Sequence, residues 1–273
     1  MNMTAQVIDA VITVGIDPDI HLGPITLAWH GITIALGILL GAVVAGQIVR
    51  QRGLDPEPLN NFALLAAIGG IVGARVFYLV EHDPAALLAP DRLISGRGFT
   101  LDGGLILAAI LIAAYVHRRG LSGRYLDAGA VALPLGLAVG RIGDIINGEH
   151  YGAQSTFLLA VRNSHPDALT PNSALAYHNG GLYEFLLGLI LFAVVWPLRH
   201  RLSRPGDLAW LVLGLLAVGR FFEFFLRSDS PDLALGLDNA QWTSVALLVI
   251  VLAGRTLTTG AIGRRRSAAS EAP

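Results

Sequence analysis

One stretch of this sequence sets four polar side chains among recurring glycines: Gly140-Arg141-Ile142-Gly143-Asp144-Ile145-Ile146-Asn147-Gly148-Glu149-His150-Tyr151-Gly152. Read as a helix, Arg141 and Asp144 stand three residues apart on one face and can pair. Gly148 and Gly152 let the chain turn and admit a ligand to the backbone. Glycines also serve close helix packing in lipid, but packing does not require Arg141, Asp144, Asn147 and Glu149 beside them. More ionisable residues stand within or at the ends of apolar runs: Arg75, Asp102, Glu184, Arg220 and Glu223. Such groups are costly in a bilayer unless paired or hydrated, so each is either a buried ion pair joining helices or part of a site. Arginine suits a site for an anion, because its planar fork matches phosphate oxygens. At that depth the natural anion is a phospholipid headgroup. His150 and His178 read more simply as structural histidines beside segment ends. No metal-ligand cluster is evident and no cofactor is expected.

These residues need elements to hold them, and the composition says which kind. Hydrophobic residues make up 53% of the 273 and charged residues 14%, with a mean hydropathy of +0.60. A soluble domain carries roughly a quarter charged residues, so the bilayer must be the solvent for most of this exterior. The net charge of −1 gives no field for nucleic acid, and the lack of cysteine removes disulfides, thiolate metal sites and any thiol nucleophile of the chain's own. A spanning helix needs about 20 mostly apolar residues. Runs of that kind fall at 26–49, 61–80, 101–116, 127–146, 181–196, 208–226 and 241–253. The expected fold is therefore all-α, a polytopic integral membrane protein of about seven transmembrane helices. Residues 1–260 form a single membrane domain and 261–273 a basic disordered cytoplasmic tail. Residues 1–15 lack a signal-peptide pattern and read as an interfacial segment.

Arginine placement sets the orientation. Arg50 and Arg52 follow the first span, Arg118, Arg119 and Arg124 the third, Arg199, Arg201 and Arg204 the fifth, and Arg255 with Arg264, Arg265 and Arg266 the seventh. The alternate connections are poorer in net positive charge: 228–239 has three aspartates and no basic residue, and Arg92 and Arg97 are offset by Glu81, Asp83 and Asp91. The N-terminus is expected outside and the C-terminus in the cytoplasm. Most of the ionisable residues named above then lie at outward-facing span ends, gathered into one polar cluster at the outer leaflet.

The glycine-rich segment resembles the signature of the prolipoprotein diacylglyceryl transferases, roughly G-R-x-G-N-F-I-N-x-E-x-x-G. The resemblance runs along nearly the whole chain. Gly23-Pro24 and Trp29-His30-Gly31 look like that family's first-span motif, and Gly69 to Arg75 with Tyr78 its second span. Asp102-Gly103-Gly104 stands where the family has His-Gly-Gly. His178-Asn179 and Leu182-Tyr183-Glu184 are similar to its H-P-x-Q-L-Y-E segment, Gly219-Arg220, Arg227 and Asp229 to its sixth-span ending, and Gln241-Trp242 to its seventh-span opening.

The resemblance implies a multi-pass protein of the bacterial cytoplasmic membrane that moves a diacylglyceryl group from phosphatidylglycerol to the lipobox cysteine of a prolipoprotein signal peptide, releasing glycerol 1-phosphate. Such chemistry needs a base for the thiol and cations for the leaving phosphate. Asp102, Arg141, Glu149 and Arg220 are the expected catalytic residues, with Arg141 and Arg220 on the phosphate. His30, Arg75, Asp144, Asn147, Gly152, His178, Tyr183 and Glu223 are expected to bind substrate. The pattern departs at four places: Asp102 replaces a histidine, Asp144 an asparagine and His30 a tyrosine. Glu223 stands three residues after Arg220, where the family's glutamate stands four after. The alternative reading is a non-catalytic or repurposed relative that binds or moves an anionic lipid. The insert 155–177 is expected as an outward loop over the site.

Overall fold

The protein is described by a computed structural model covering residues 11–89, 98–202, 204–228, 230 and 232–270, with 257–270 as backbone alone. Residues 1–10 of the expected interfacial segment, Arg92, Arg97, Asp229 and residues 271–273 lie outside the described residues. Six helices among the described residues are long and apolar enough to cross a membrane. They are α1 (Trp29–Gln51), α2 (Pro58–His82), α3 (Leu101–Arg118), α4 (Arg124–Asn147), α5 (Gly180–Leu198) and α6 (Asp207–Glu223), the last extended by a 3-10 turn at Phe224–Leu226. Within lipid the backbone can satisfy its own polar groups only in such regular structure. Their outward faces keep Leu39, Ile71 and Val72 exposed, as an apolar solvent allows. The stretch 241–253 falls inside α7 (Asn239–Ser270), whose backbone continues helical past residue 261, where the sequence leads one to expect a disordered tail.

The chain is mostly helical, and the all-α expectation needs one correction. Among the described residues, eight short strands join the helix ends on one side of the bundle. β1 (Ile12–Val14), β5 (Val161–Asn163), β6 (Tyr177–Asn179) and β4 (Tyr151–Gln154) form one sheet in that order, with β1 parallel to β5 and the other pairs antiparallel. Asp19–Leu22 (β2) pairs with Ile25–Ala28 (β3), and Asp232–Ala234 (β7) with Leu237–Asp238 (β8). The first span thus begins at Trp29 rather than at 26, because the β-branched pair Ile25 and Thr26 sits in a strand. The insert 155–177 contributes β5 and the start of β6.

Helix α4 is the centre of the bundle and packs on α1, α5 and α6, while α2 packs on α3 and α6 on α7. Small residues permit these approaches. A Cβ at Gly37 of α1 would come within 2.3 Å of the Gly136 carbonyl of α4, and one at Gly188 of α5 within 2.6 Å of the Pro134 carbonyl. The first half of α4 buries Tyr125, Ala128, Val131 and Ala132 against Val44, Ile48 and Val49 of α1, Phe62 of α2, Val195 of α5, and Leu208 and Val212 of α6. Ionisable groups at this end serve the backbone. Buried Asp127 accepts from the Gly206 and Ala209 amides, 2.9 and 3.0 Å away, across the start of α6. Arg52 donates to the Arg199 carbonyl at 3.0 Å, and Tyr125 donates to the Asp55 carbonyl at 2.7 Å.

Candidate functional site

At the other end of α4 the packing changes character. Arg141, Asp144 and Asn147 are buried along its last turns. The helix ends on Gly148, whose φ of 76° is a left-handed cap. Two of the final carbonyls, Ile145 and Ile146, accept from the Asn163 amide at 2.8 and 3.1 Å, so strand β5 completes the helix end. Helix α1 is drawn in at the same level: Thr33 donates to the Gly140 carbonyl at 2.8 Å and accepts from the Gly143 amide at 3.1 Å. A Cβ at Gly143 would lie 2.5 Å from the His30 Cα. Helix α5 starts beside them, with the Asn179 side chain capping the Leu182 amide at 2.7 Å.

The side chains that these ends bring together form an alternating chain of charge. Asp144 pairs through one oxygen with His30 Nδ1 and through the other with Arg141. Arg141 also reaches Glu184, and Glu184 in turn pairs with Arg220. Arg220 then binds Asp102 at 2.8 Å. A second arm closes a ring, because Arg227 stands 3.9 Å from Glu184 and 2.7 Å from His150 Nδ1, and His150 Nε2 stands 3.7 Å from Asp144. Beside this ring Glu223 is 7% exposed, and neither carboxylate oxygen has a hydrogen-bond partner among the described residues. It packs on α5, where a Cβ at Gly180 would meet Glu223 Oε1 at 2.8 Å.

Burying one such ion costs several kcal/mol even after relaxation, and the attraction of a partner often does no more than offset it. Arg141, Asp102, Asp144, Glu184, Arg220 and Glu223 are all buried here, at the ends of four helices. Stability alone is a poor reason for that arrangement, and apolar packing like that at the other end of α4 would serve better. What the arrangement supplies is two guanidinium forks, Arg141 and Arg220, aimed at one oxyanion, the Glu184 carboxylate.

Of the residues expected in the site, His30, Asp102, Arg141, Asp144 and Arg220 belong to this chain of contacts. Asn147 donates to Glu149 at 2.8 Å, and Glu149 stands 3.9 Å from His30 Nδ1, on the flank of the same cluster. His178 and Tyr183 bond to each other at 2.5 Å, with the Phe157 ring against His178. Arg75 donates to the Gly98 carbonyl at 3.1 Å and lies over the Tyr78 ring. At Gly152 a Cβ would sit 1.8 Å from the Leu226 carbonyl, so the chain there lies close against the protein's own backbone. Asp102 is bound to the Arg220 guanidinium, which it holds in orientation.

Three residues outside the expected set are central: Glu184, Arg227 and His150. Glu184 was visible as a carboxylate opening an apolar run. His150 reads from sequence as structural and Arg227 enters only through the resemblance; their pairing has no local signal, since they meet across 77 positions of sequence. His30, Asp144 and Glu149 have the reach of a metal-ligand set, with ligand atoms within 4.8 Å. The Arg141 guanidinium on the same Asp144 opposes a cation there, and both Asp144 oxygens are engaged. Asp17, His165 and Asp167 form a second such trio, but Asp17 and Asp167 are 41% and 77% exposed.

A multi-pass membrane protein with a buried arginine–carboxylate network at one end of its bundle is the class that fold and site define. The family model for prolipoprotein diacylglyceryl transferase matches residues 19–257. Relatives named phosphatidylglycerol–prolipoprotein diacylglyceryl transferase agree with it. The protein of Geobacillus kaustophilus is 33% identical over 259 residues, 93% of each chain, and that of Rhizobium meliloti 31% over 274 residues, 94% of this chain and 95% of its own. The Frankia alni protein is 35% identical over 254 residues, 85% of this chain; the present chain spans 65% of that relative's length. The chain belongs to the prolipoprotein diacylglyceryl transferase family.

Proposed function

We propose that this protein transfers a diacylglyceryl group from phosphatidylglycerol to the lipobox cysteine thiol of a prolipoprotein signal peptide, at the outer leaflet of the bacterial cytoplasmic membrane. The observation that carries the reading is the convergence of Arg141 and Arg220 on one buried oxyanion, Glu184. Transfer breaks a carbon–oxygen bond beside a phosphate, and charge grows on the oxygen that leaves. Fixed guanidiniums stabilise that charge most where water is excluded. Arg141 and Arg220 hold the phosphate, Glu184 sets the distance between them and Asp102 orients Arg220. Asn147 and Glu149, bonded to each other, present polar atoms to the glycerol headgroup. His178, Tyr183, Arg75 and Glu223 line the approaches of the two substrates.

The arginine bias of the connections supports seven spans, α7 supplying the last through 241–253, with the N-terminus outside and the C-terminus in the cytoplasm. On this reading residues 1–260 are one membrane domain, and the basic tail 261–273 faces anionic lipid of the inner leaflet. A repurposed lipid-binding relative is the second reading, and the Asp144 carboxylate among the arginines is what favours it.

The test is transfer from phosphatidylglycerol vesicles to a synthetic lipobox peptide by the purified protein. The parent should form the thioether, and Arg141→Ala should lose about 10³-fold in rate. A parent that retains phosphatidylglycerol but transfers nothing would establish the second reading. A parent that does neither would overturn both.

A further inference from the structure

We propose that His30 and Asp144 form a base dyad in which His30 Nε2 takes the proton from the acceptor cysteine thiol. The proposal rests on the transferase reading and adds the group that reading lacks. A thiol is a poor nucleophile until it becomes a thiolate, and Asp102 is held by Arg220 at 2.8 Å. Glu223 is buried, and His150 has Arg227 on one nitrogen and Asp144 near the other. His30 differs from all of these. Its Nδ1 is bonded to the 1%-exposed Asp144 carboxylate, its side chain is 35% exposed, and its Nε2 makes no hydrogen bond among the described residues.

An imidazole anchored through Nδ1 to a buried carboxylate, with Nε2 open, is the arrangement that fixes tautomer and orientation in a general base and stabilises the imidazolium formed. Here the same carboxylate also grips Arg141 through its second oxygen. Asp144 therefore ties the proton acceptor to the phosphate holder. The two residues are also two of the four departures from the family pattern, a tyrosine and an asparagine there. In this chain they touch each other across 114 positions, so two separate anomalies become one ionisable pair. His178 is the rival, since its Nδ1 is likewise occupied, but its partner is the Tyr183 phenol and not a carboxylate.

The step balances within the proposed substrates. The S–H bond breaks with its proton going to Nε2 and its electron pair staying on sulfur. That pair forms the bond to the glyceryl carbon as the carbon–oxygen bond to phosphate breaks. The oxygen leaves with its pair as glycerol 1-phosphate, and the imidazolium returns the proton to the departing phosphate or to water. The charged groups facing His30 are Asp144, Glu149 at 3.9 Å and, across Asp144, Arg141 and His150.

The experiment compares a cysteine lipobox peptide with its selenocysteine counterpart, whose selenol ionises near neutral pH without help. With the cysteine peptide, His30→Gln should lose about 10²–10³-fold in single-turnover rate, the range that general-base catalysis supplies. With the selenocysteine peptide the same variant should come within about tenfold of the parent. Arg141→Lys, which leaves the dyad but spoils the phosphate holder, should lose equally with both peptides. His178→Gln should keep the parent's ratio between them. Equal losses for His30→Gln with both peptides, or no loss with cysteine, would overturn the dyad while leaving the transferase reading standing. A parent inactive with both peptides would overturn the transferase reading and the dyad together.

Discussion

The two ends of α4 hold ionisable residues in opposite ways. At its start, Asp127 and the neighbouring Arg52 are engaged with backbone amides and carbonyls, around a core of Tyr125, Ala128 and Val131. Each charged group there closes a helix end that would otherwise be left open. At its finish, Arg141 and Asp144 are engaged with other side chains, and those with still others, from His30 through Glu184 to Asp102. Helix ends at that level are closed by neutral residues, Asn163 and Asn179. The contrast separates structural from functional charge within one helix. A group bonded to backbone has nowhere to move, while groups bonded to one another can exchange partners when a new anion arrives.

Glu184→Gln tests the contrast most severely. The substitution keeps the shape and removes the charge on which Arg141 and Arg220 meet. Breaking one partner out of a buried network costs about 3–5 kcal/mol, and misplacing the phosphate holders by about 1 Å costs about 10²-fold in rate. The variant should melt lower than the parent and, assayed where it is still folded, transfer at least about 10²-fold more slowly. Transfer within about threefold of the parent would place Glu184 with the structural charges and break the comparison.

Asp127→Ala probes the other end. Two backbone donors at the start of α6 lose their acceptor, a cap worth about 1–2 kcal/mol. Denaturant melts should register that loss, while transfer at a temperature well below the transition should match the parent. A fall in rate without a fall in stability would mean that the core end communicates with the site.

The sequence disclosed these two ends unequally. Apolar runs cover the six helices that are long and apolar enough to span among the described residues, because lipid demands such runs and little else mimics them; charges inside the runs single out Arg141, Asp144, Arg220 and Glu223. What could not be read was pairing. His30 and Asp144 are far apart along the chain, and hydropathy contains nothing that brings two particular residues of different helices together. The cap that Asn163 places on α4 comes from an insert whose strands are too short to announce themselves. The start of α1 differs from the sequence expectation because hydropathy does not distinguish an apolar strand, Ile25–Ala28, from an apolar helical turn. The neighbour that Gly152 meets across the fold, the Leu226 carbonyl, is likewise invisible in sequence.

Asp238 offers the finest discrimination, because it lies at the site end yet is bonded like a core-end residue. It accepts from the Gln241 amide at 2.8 Å, and Gln241 Oε1 accepts from the Asp238 amide at 3.0 Å, a reciprocal box at the start of α7. Burial, opposed by the Gln241 amide, raises its pKa above the ordinary carboxylate value. The folded chain therefore keeps this proton at pH values where the unfolded chain has lost it. Its contribution to stability is full below the unfolded value and is lost as pH rises through the raised folded value. Asp238→Asn preserves the cap acceptor and removes the titration. As pH rises above about 4, the melting temperature of the variant minus that of the parent should climb, since other carboxyl groups act alike in both. Transfer should be unchanged, as expected of a charge bonded to backbone. A flat or falling difference would show that Asp238 keeps its proton no better folded than unfolded, and a loss of transfer would move it into the site network.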